Sequence, residues 1–458
     1  MENVIQQPSQ GLAIQRAFAA SPLWRWVKER LESRPFLRNV SIMLTGTASG
    51  QLVSILLSPV LTRLYSPEQF GLLSIYLAII SVLAVVAALR YELTLPLATT
   101  DAEMINLAAV CGCSLVITTA IVALITFFLP LGALQALSRT AFSAVDLQSY
   151  RVLLPIGFFC LGGYFIALYM ATRAGAFRLI AMSRLNQGVV GPVTQIGAGI
   201  AGAGAPGLLI GSVLGQSAGT FGLLHRIIRA RPGILREVSW RQMMSLAKRY
   251  RHFPLIGSWT ALIDAAGGNQ LLYLLITTHY AASIAGFLFL VERVVARPLS
   301  MVGTSILQVF VGEAGQTATT APDKLKSRFR QVVHHQFFLA MAWILVANLG
   351  AALFFPKVFG AEWGGAVIYL QAMSLGYLAQ AVVLPVFHTL QILERQAMAA
   401  WWQVFRLLFI IAIFVVGVHF DVSAVWIVMG YSLAQAIAGA ILLILMMNAI
   451  QQLQRAPT

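Results

Sequence analysis

The sequence predicts an all-α polytopic membrane protein with about twelve transmembrane helices in two six-helix lobes. Three observations lead there. Mean hydropathy is +0.80. Of 458 residues, 59% are hydrophobic and only 10% are charged, whereas about a quarter of a soluble domain is charged. Apolar runs of roughly 20 residues, long enough to cross a ~30 Å hydrocarbon core, recur along the whole chain.

The first 38 residues are polar and Arg-rich, with no short apolar run before a small-residue cleavage site, so no cleavable signal is expected. Within them, residues 23–37 (LWRWVKERLESRPFL) put Leu23, Val27 and Leu31 on one face beside Trp24, with Arg25, Lys28, Glu29 and Glu32 elsewhere. That pattern predicts a helix lying in the cytoplasmic interface. Twelve spans follow, near residues 40–62, 69–90, 104–128, 152–172, 185–203, 207–227, 253–277, 284–310, 336–356, 364–389, 403–419 and 424–448. They divide into a first lobe (39–228), a basic linker (229–252), a second lobe (253–448) and a short tail (449–458).

The net charge of +15 could suggest nucleic acid, but its distribution argues against that. Connections after odd-numbered spans hold few basic residues: Arg63, Arg139, Arg151 and Lys357. The loop at 226–251 alone carries Arg226, Arg229, Arg231, Arg236, Arg241, Lys248, Arg249 and Arg251. The positive-inside rule then places both termini in the cytoplasm.

Two internal echoes suggest a duplicated six-helix unit. The segment TRLYSPEQFGLLSIYLA (62–78) aligns with TTHYAASIAGFLFLVER (277–293), matching Thr, Tyr, Gly and Leu at one offset. Arg173 and Arg184 are spaced like Arg395 and Arg406. Two such halves in one membrane orientation suit alternating access, with a substrate site between them near the midplane.

Several motifs have bland readings. GAGIAG (197–202) satisfies GxGxxG, but it lies in an apolar helix and the next acid is Glu237. Close helix packing explains it better than a dinucleotide site. Cys111, Cys113 and Cys160 fall in apolar spans without CxxC spacing, which implies packing. His334 and His335 lack an acidic or Cys partner at ligand spacing, so neither metal nor cofactor is expected.

Charges inside spans are more informative, since an Arg or Asp at a helix centre costs roughly 2.5–3.5 kcal/mol on insertion scales. The eighth span, LFLVERVVARPLS (288–300), carries Glu292, Arg293 and Arg297. The two arginines are four apart and share a face, while Glu292 is turned about 100° from Arg293. They should face the bundle interior or a wet cavity, and Pro298 should kink the helix beside them. The seventh span adds Asp264, Asn269 and Gln270 at comparable depth. An ion pair of Asp264 or Glu292 with one arginine would still leave positive charge over. Arg90 and Glu92, at the end of the second span, suit either interface pairing or a ligand role. Arg63 suits a substrate contact or a cap on its own helix C-terminus, with the cap favoured.

The chain resembles the polysaccharide-transport branch of the multidrug/oligosaccharidyl-lipid/polysaccharide exporters, the Wzx-type flippases of O-antigen (lipopolysaccharide), capsule and exopolysaccharide synthesis. The resemblance runs from about residue 38 to 448. It rests on LTRLYSPEQFGLLSIYLAI (61–79), LRYELTLPLATTDAE (89–103), FPLIGSWTALIDAAGGNQLLYLL (253–275) and FLFLVERVVARPLSMVGTSILQVF (287–310). It implies a V-shaped pair of lobes, and movement of an undecaprenyl-diphosphate-linked oligosaccharide between leaflets of the bacterial inner membrane. The resemblance matches Arg293 in the eighth span and Arg90, Tyr91 and Glu92 in the second. Arg297 and Asp264 depart from the family's usual apolar and neutral polar residues.

The expected partners are a lipid-linked oligosaccharide and membrane lipids, with a polymerase and chain-length or export proteins of the same pathway. The cavity set is Arg293, Arg297, Arg90, Arg63, Asn269 and Gln270; Asp264, Glu292 and Glu92 are the ion-coupling candidates. A drug or cation antiporter of the same fold would call for a carboxylate-dominated cavity. A glycan polymerase would call for a large outer loop with acids or arginines, whereas the connection at 129–150 holds one acid, Asp146.

Overall fold

The computed structural model describes residues 35–128, 150–230, 233–320 and 322–455. Its first half contains α1 (Pro35–Leu56), α2 (Ser58–Leu64), α3 (Pro67–Ala84), α4 (Asp101–Phe128), α5 (Leu153–Arg173), α6 (Phe177–Ile200) and α7 (Gly204–Ala230). The linker forms α8 (Trp240–Arg249). The second half contains α9 (Ser258–Ala266), α10 (Asn269–His279), α11 (Ala282–Val291), α12 (Arg297–Thr320), α13 (Pro322–Phe359), α14 (Ala366–Val383), α15 (Gln396–His419) and α16 (Ala424–Arg455). Among the described residues, nine helices are long and apolar enough to cross a membrane. The other three expected spans are the first, interrupted between α1 and α2; the fifth, the polar α6; and the seventh, split into α9 and α10. The chain is an all-helical multi-pass membrane protein. The interfacial helix expected at 23–37 lies almost wholly outside the described residues, as do Arg139 and Asp146.

Helix ends follow local chemistry. α3 starts at a capping box: Gln69 N–H donates to Ser66 Oγ at 3.4 Å, and Ser66 N–H donates to Gln69 Oε1 at 3.1 Å. Pro67 opens the helix, where its missing N–H is no loss. α5 ends in a left-handed turn at Gly175, φ +64°, where Ala176 N–H reaches back to Ala171 O at 2.9 Å. The second span is shorter than expected: α3 stops at Ala84, and Leu89 and Arg90 both take positive φ before a 3-10 stretch, Tyr91–Leu97.

The duplication is visible in the helix registers. α3 and α11 begin 215 positions apart (Pro67 and Ala282), as do Gly71 and Gly286. α6 and α15 are both 24 residues long, and their ends lie 219 positions apart (177 to 396, 200 to 419). The arginine echo is therefore out of register by about one helical turn. Arg184 stands opposite Gln403, and Arg406 opposite Gln187.

In the first lobe α6 packs on α1 and α7, and α5 on α4 and α7; in the second, α14 packs on α13 and α16, and α15 on α16. The lobes meet most closely where α3 crosses α11. There the equivalent glycines exchange places: Gly71 lies against Ala282, and Gly286 against Pro67 and Gly71. Beside them Trp363, fully buried, donates from Nε1 to Thr62 O at 2.9 Å and meets the Phe70 ring edge-on at 5.0 Å. One apolar core, holding Leu61, Phe70, Leu288, Phe289, Trp363 and Tyr369, thus runs through both lobes at this end.

The GAGIAG segment closes α6 rather than packing along it. Only Gly199 of its glycines is crowded, against Leu64 and Tyr65, and Gly202 has φ +73°. The linker is ordered by α8, which docks on α4. Asn106 Nδ2 donates to Glu237 O at 3.0 Å and to Gln242 Oε1 at 2.8 Å, Ser239 N–H donates to Asn106 Oδ1 at 2.8 Å, and Arg249 lies 3.5 Å from Glu103.

Candidate functional site: an arginine-lined cavity between the lobes

The eighth span does not simply kink at Pro298. Residues Glu292–Ala296 form a π-helical turn, in which Arg297 N–H bonds to Glu292 O, and α12 continues from there to Thr320. A turn of this kind is common at functional sites. It shifts the register of the side chains and leaves backbone acceptors free, one of which, Val295 O, accepts from Trp343 Nε1 at 3.0 Å. Its consequence is that neighbouring charges face opposite lobes.

Glu292 turns into the second lobe. Its carboxylate accepts from the Tyr273 hydroxyl and from Asn269 Nδ2 at 3.3 Å, and lies 3.7 Å from Arg297 Nε. Asn269 is held in turn by Gln380 Nε2 at 2.9 Å and the Tyr431 hydroxyl at 3.0 Å. Asn269 is the first residue of α10, just past the Gly267–Gly268 break that splits the seventh span. Gln270 lies against Gly268 and lines none of the cavities described below.

Arg293 turns the other way. It is 4% exposed and donates from Nη2 to Ser54 on α1, to Oγ at 2.5 Å and to the carbonyl at 3.1 Å. It thereby ties the second lobe to the first at mid-depth. By helical rise, it lies about 16 Å along its helix from the start of α11, where the lobes are tightest.

Around this contact are two adjoining cavities of about 320 Å³ and 200 Å³. Both are lined by Ser54, Arg184, Gln187, Arg293 and Arg297. The larger adds Tyr164, Gln195, Ser212 and Gln216; the smaller adds Gln51 and Thr47. No carboxylate lines either one. Arg184 lies over the Tyr164 ring at 5.0 Å, and Arg297 over the Phe289 ring at 5.4 Å. Glu292 offsets one of the three guanidinium charges. Arg184 and Arg293 have no carboxylate partner among the described residues, so the site carries excess positive charge in a partly enclosed space between the lobes. Such a site attracts an anion far more strongly than exposed arginines would.

Arg184 is the member that sequence reasoning missed. The fifth span was expected to begin at residue 185, just past this arginine, whereas α6 begins at Phe177, directly after the Gly175 turn. The guanidinium therefore enters the bundle two turns inside the helix. α1 and α6 can approach this closely because Gly50 and Gly188 cross each other there, and a Cβ on Gly50 would lie 2.5 Å from Arg184 O.

The remaining expected site residues lie elsewhere. Arg63 is exposed and donates to Lys357 O at 3.4 Å, near the C-terminus of α13 in the other lobe rather than its own helix end. Arg90 pairs with Glu92 at 3.9 Å beside the start of the seventh span, and neither lines the arginine cavity. Asp264 pairs with Arg406 at 3.6 Å, not with an arginine of the eighth span, and accepts from Gln403 at 3.1 Å. Arg406 stands at a separate, mainly apolar cavity of about 260 Å³ inside the second lobe.

Comparison with known proteins agrees with this architecture. A family model described as "Polysaccharide biosynthesis protein" matches residues 60–368. No sequence among the curated proteins matches the chain. Among solved structures, the chain is similar to a multidrug resistance MATE family transporter of the MOP superfamily in an inward-facing conformation. The TM-score is 0.61 at 16% identity, over 91% of this chain and 96% of that one. It is also similar to a MOP superfamily transporter from Pyrococcus furiosus, with a TM-score of 0.56 at 15% identity over 92% and 96%. That structure is described as having a binding pocket of reverse polarity that suggests a different function. These likenesses establish a MOP-type fold. With the family match covering most of the chain, the protein belongs to the polysaccharide biosynthesis protein family.

Proposed function

We propose that this protein is a non-enzymatic flippase that carries undecaprenyl-diphosphate-linked oligosaccharide repeat units from the inner to the outer leaflet of the bacterial inner membrane. The observation that carries the reading is the convergence of Arg184 from one lobe with Arg293 and Arg297 from the other, on cavities without a lining carboxylate. A lipid diphosphate is strongly anionic, and planar guanidinium groups bind phosphate oxygens in pairs. The polyprenyl tail stays in lipid while the head group enters between the lobes. A drug or cation antiporter would need negative charge here, and the nearest carboxylate, Glu292, is turned away and engaged.

With both termini in the cytoplasm, as the loop charges favour, the Gly71–Gly286 crossing belongs at the outer end, and its tight packing supports reading this arrangement as closed to the outside. An arriving diphosphate competes with Ser54 for Arg293, which loosens the tie between the lobes and permits rocking. Of the three ion-coupling candidates, Glu92 is the best suited to exchange a proton. It is buried, its cation is 3.9 Å away and one oxygen has no partner, whereas Asp264 and Glu292 are each held by closer partners. A polymerase and chain-length or export proteins would receive the product.

The test is to purify the protein with its native lipids and identify bound polyprenyl-diphosphate glycans by mass spectrometry, comparing wild type with Arg293→Ala. The glycolipid should be present in the first and depleted in the second. Equal retention by both removes Arg293 from the binding site.

A further inference from the structure

The wall of the larger cavity contributed by the first lobe has unfinished hydrogen bonding. Tyr164 is 1% exposed, and its hydroxyl has no partner among the described residues. Gln216, on α7, keeps its side-chain oxygen buried and unpartnered. Gln51, on α1 in the smaller cavity, does the same. Other amides nearby are committed to the fold: Gln195 Nε2 donates to Leu208 O at 3.0 Å. Buried polar groups without partners are few in native proteins and costly to keep. Three of them around one pair of cavities, beside an unpartnered Arg293 Nε, point to a ligand.

The chemistry of these groups narrows the ligand. A diphosphate offers only acceptors. It satisfies the arginines, including Arg293 Nε, but gives nothing to a carboxamide oxygen. A sugar hydroxyl both donates and accepts, so it completes a phenol or a carboxamide in either orientation. We infer that Tyr164, Gln216 and Gln51 form a hexose subsite that reads the sugar joined directly to the diphosphate. This inference rests on the reading of the arginine cavity as a lipid-diphosphate site. At about 320 Å³ the larger cavity is at the small end of ligand pockets, ~300–1,000 Å³. Together with the adjoining cavity that holds Gln51 it takes the proximal sugar, and the distal sugars extend beyond.

Full-length protein in nanodiscs would be titrated with two synthetic probes: undecaprenyl diphosphate, and the same lipid carrying a single hexose. Gln216→Met and Tyr164→Phe keep shape and remove the polar atom. Gln216→Met should weaken binding of the glycosylated lipid by about tenfold and leave the unglycosylated lipid unchanged. Tyr164→Phe, which removes a donor that phosphate also accepts, should weaken the glycosylated lipid more than the unglycosylated one. Neither should lower the unfolding temperature. Gln51→Met, on a different helix, repeats the test should α7 or α5 variants fold poorly. Equal losses for both lipids, or no loss for either, would overturn the subsite. Arg293→Ala separates this from its parent reading, because it should weaken both lipids. If wild type binds neither, or Arg293→Ala leaves both intact, the diphosphate reading falls and the hexose subsite with it.

Discussion

Adding one methyl group at Gly286 tests how the lobes are closed. A Cβ on this residue would overlap the Pro67 carbonyl oxygen and lie 2.9 Å from its carbon and 3.0 Å from Gly71 N, where ordinary contact begins at 3.4 Å. All of these neighbours are backbone atoms of a capped helix, so no side chain can rotate away. The two helices must part by roughly 1 Å, and overpacking of this kind costs about 1–3 kcal/mol. Because the strain exists only while α3 and α11 touch, Gly286→Ala shifts the lobe equilibrium toward separation at this end by roughly five- to 150-fold. Spin labels at Glu68 and Glu362, both exposed, read the result as a distance distribution. Wild type should give one short distance, and Gly286→Ala a larger population at long distance. An unchanged distribution in a folded variant would refute the claim that this crossing closes the lobes. Gly71→Ala should behave alike, since its Cβ would overlap Ala282 O and lie 2.7 Å from the carbonyl carbon.

Other perturbations have defined outcomes. Glu292→Gln keeps the side-chain shape but removes the charge 3.7 Å from Arg297. The pair is worth about 4 kcal/mol at an effective dielectric of 20 before screening and about 1 kcal/mol after it, so anionic lipid should bind roughly fivefold tighter in a titration. Weaker binding would show that Glu292 belongs to the ligand site. Asn106→Leu removes the side chain that holds Glu237, Ser239 and Gln242. It should lower stability by about 1–3 kcal/mol and speed proteolysis of the linker. Gly175→Ala, at φ +64°, should cost about 1 kcal/mol in unfolding measurements. Gly112→Ala, with nothing within 4 Å of its Cβ, should be close to neutral.

How far the sequence reveals this molecule depends on the kind of signal. Apolar runs and loop charges were enough for a twelve-span duplicated bundle, because the cost of exposing polar backbone to lipid leaves few alternatives. Arg293 and Arg297 stood out because charges are expensive inside a span. Arg184 did not, because the apolar run starts only after this arginine, whereas the helix starts at the turn chemistry of Gly175. The break at Gly267–Gly268 was hidden for the converse reason: both flanks are apolar. The glycine echo had physical meaning, since Gly71 and Gly286 form the crossing between lobes. The arginine echo was a register slip of one turn, which the equal lengths of α6 and α15 expose. Whether Glu292 or Arg293 faces the other lobe depended on the π-helical turn, and ideal helical periodicity does not anticipate that.

Movement of a lipid-linked diphosphate glycan across the bilayer by way of the arginine cavity, as we propose, is open to direct measurement. The most direct measurement reconstitutes the protein in vesicles that carry a polyprenyl-diphosphate oligosaccharide in one leaflet and follows arrival of the glycan at the other with a membrane-impermeant glycosidase. Wild type should accelerate transfer well above protein-free vesicles, and Arg184→Ala, Arg293→Ala and Arg297→Ala should each reduce it by at least tenfold. Transfer at the protein-free rate by wild type, or at the wild-type rate by all three variants, would overturn the proposed flippase function.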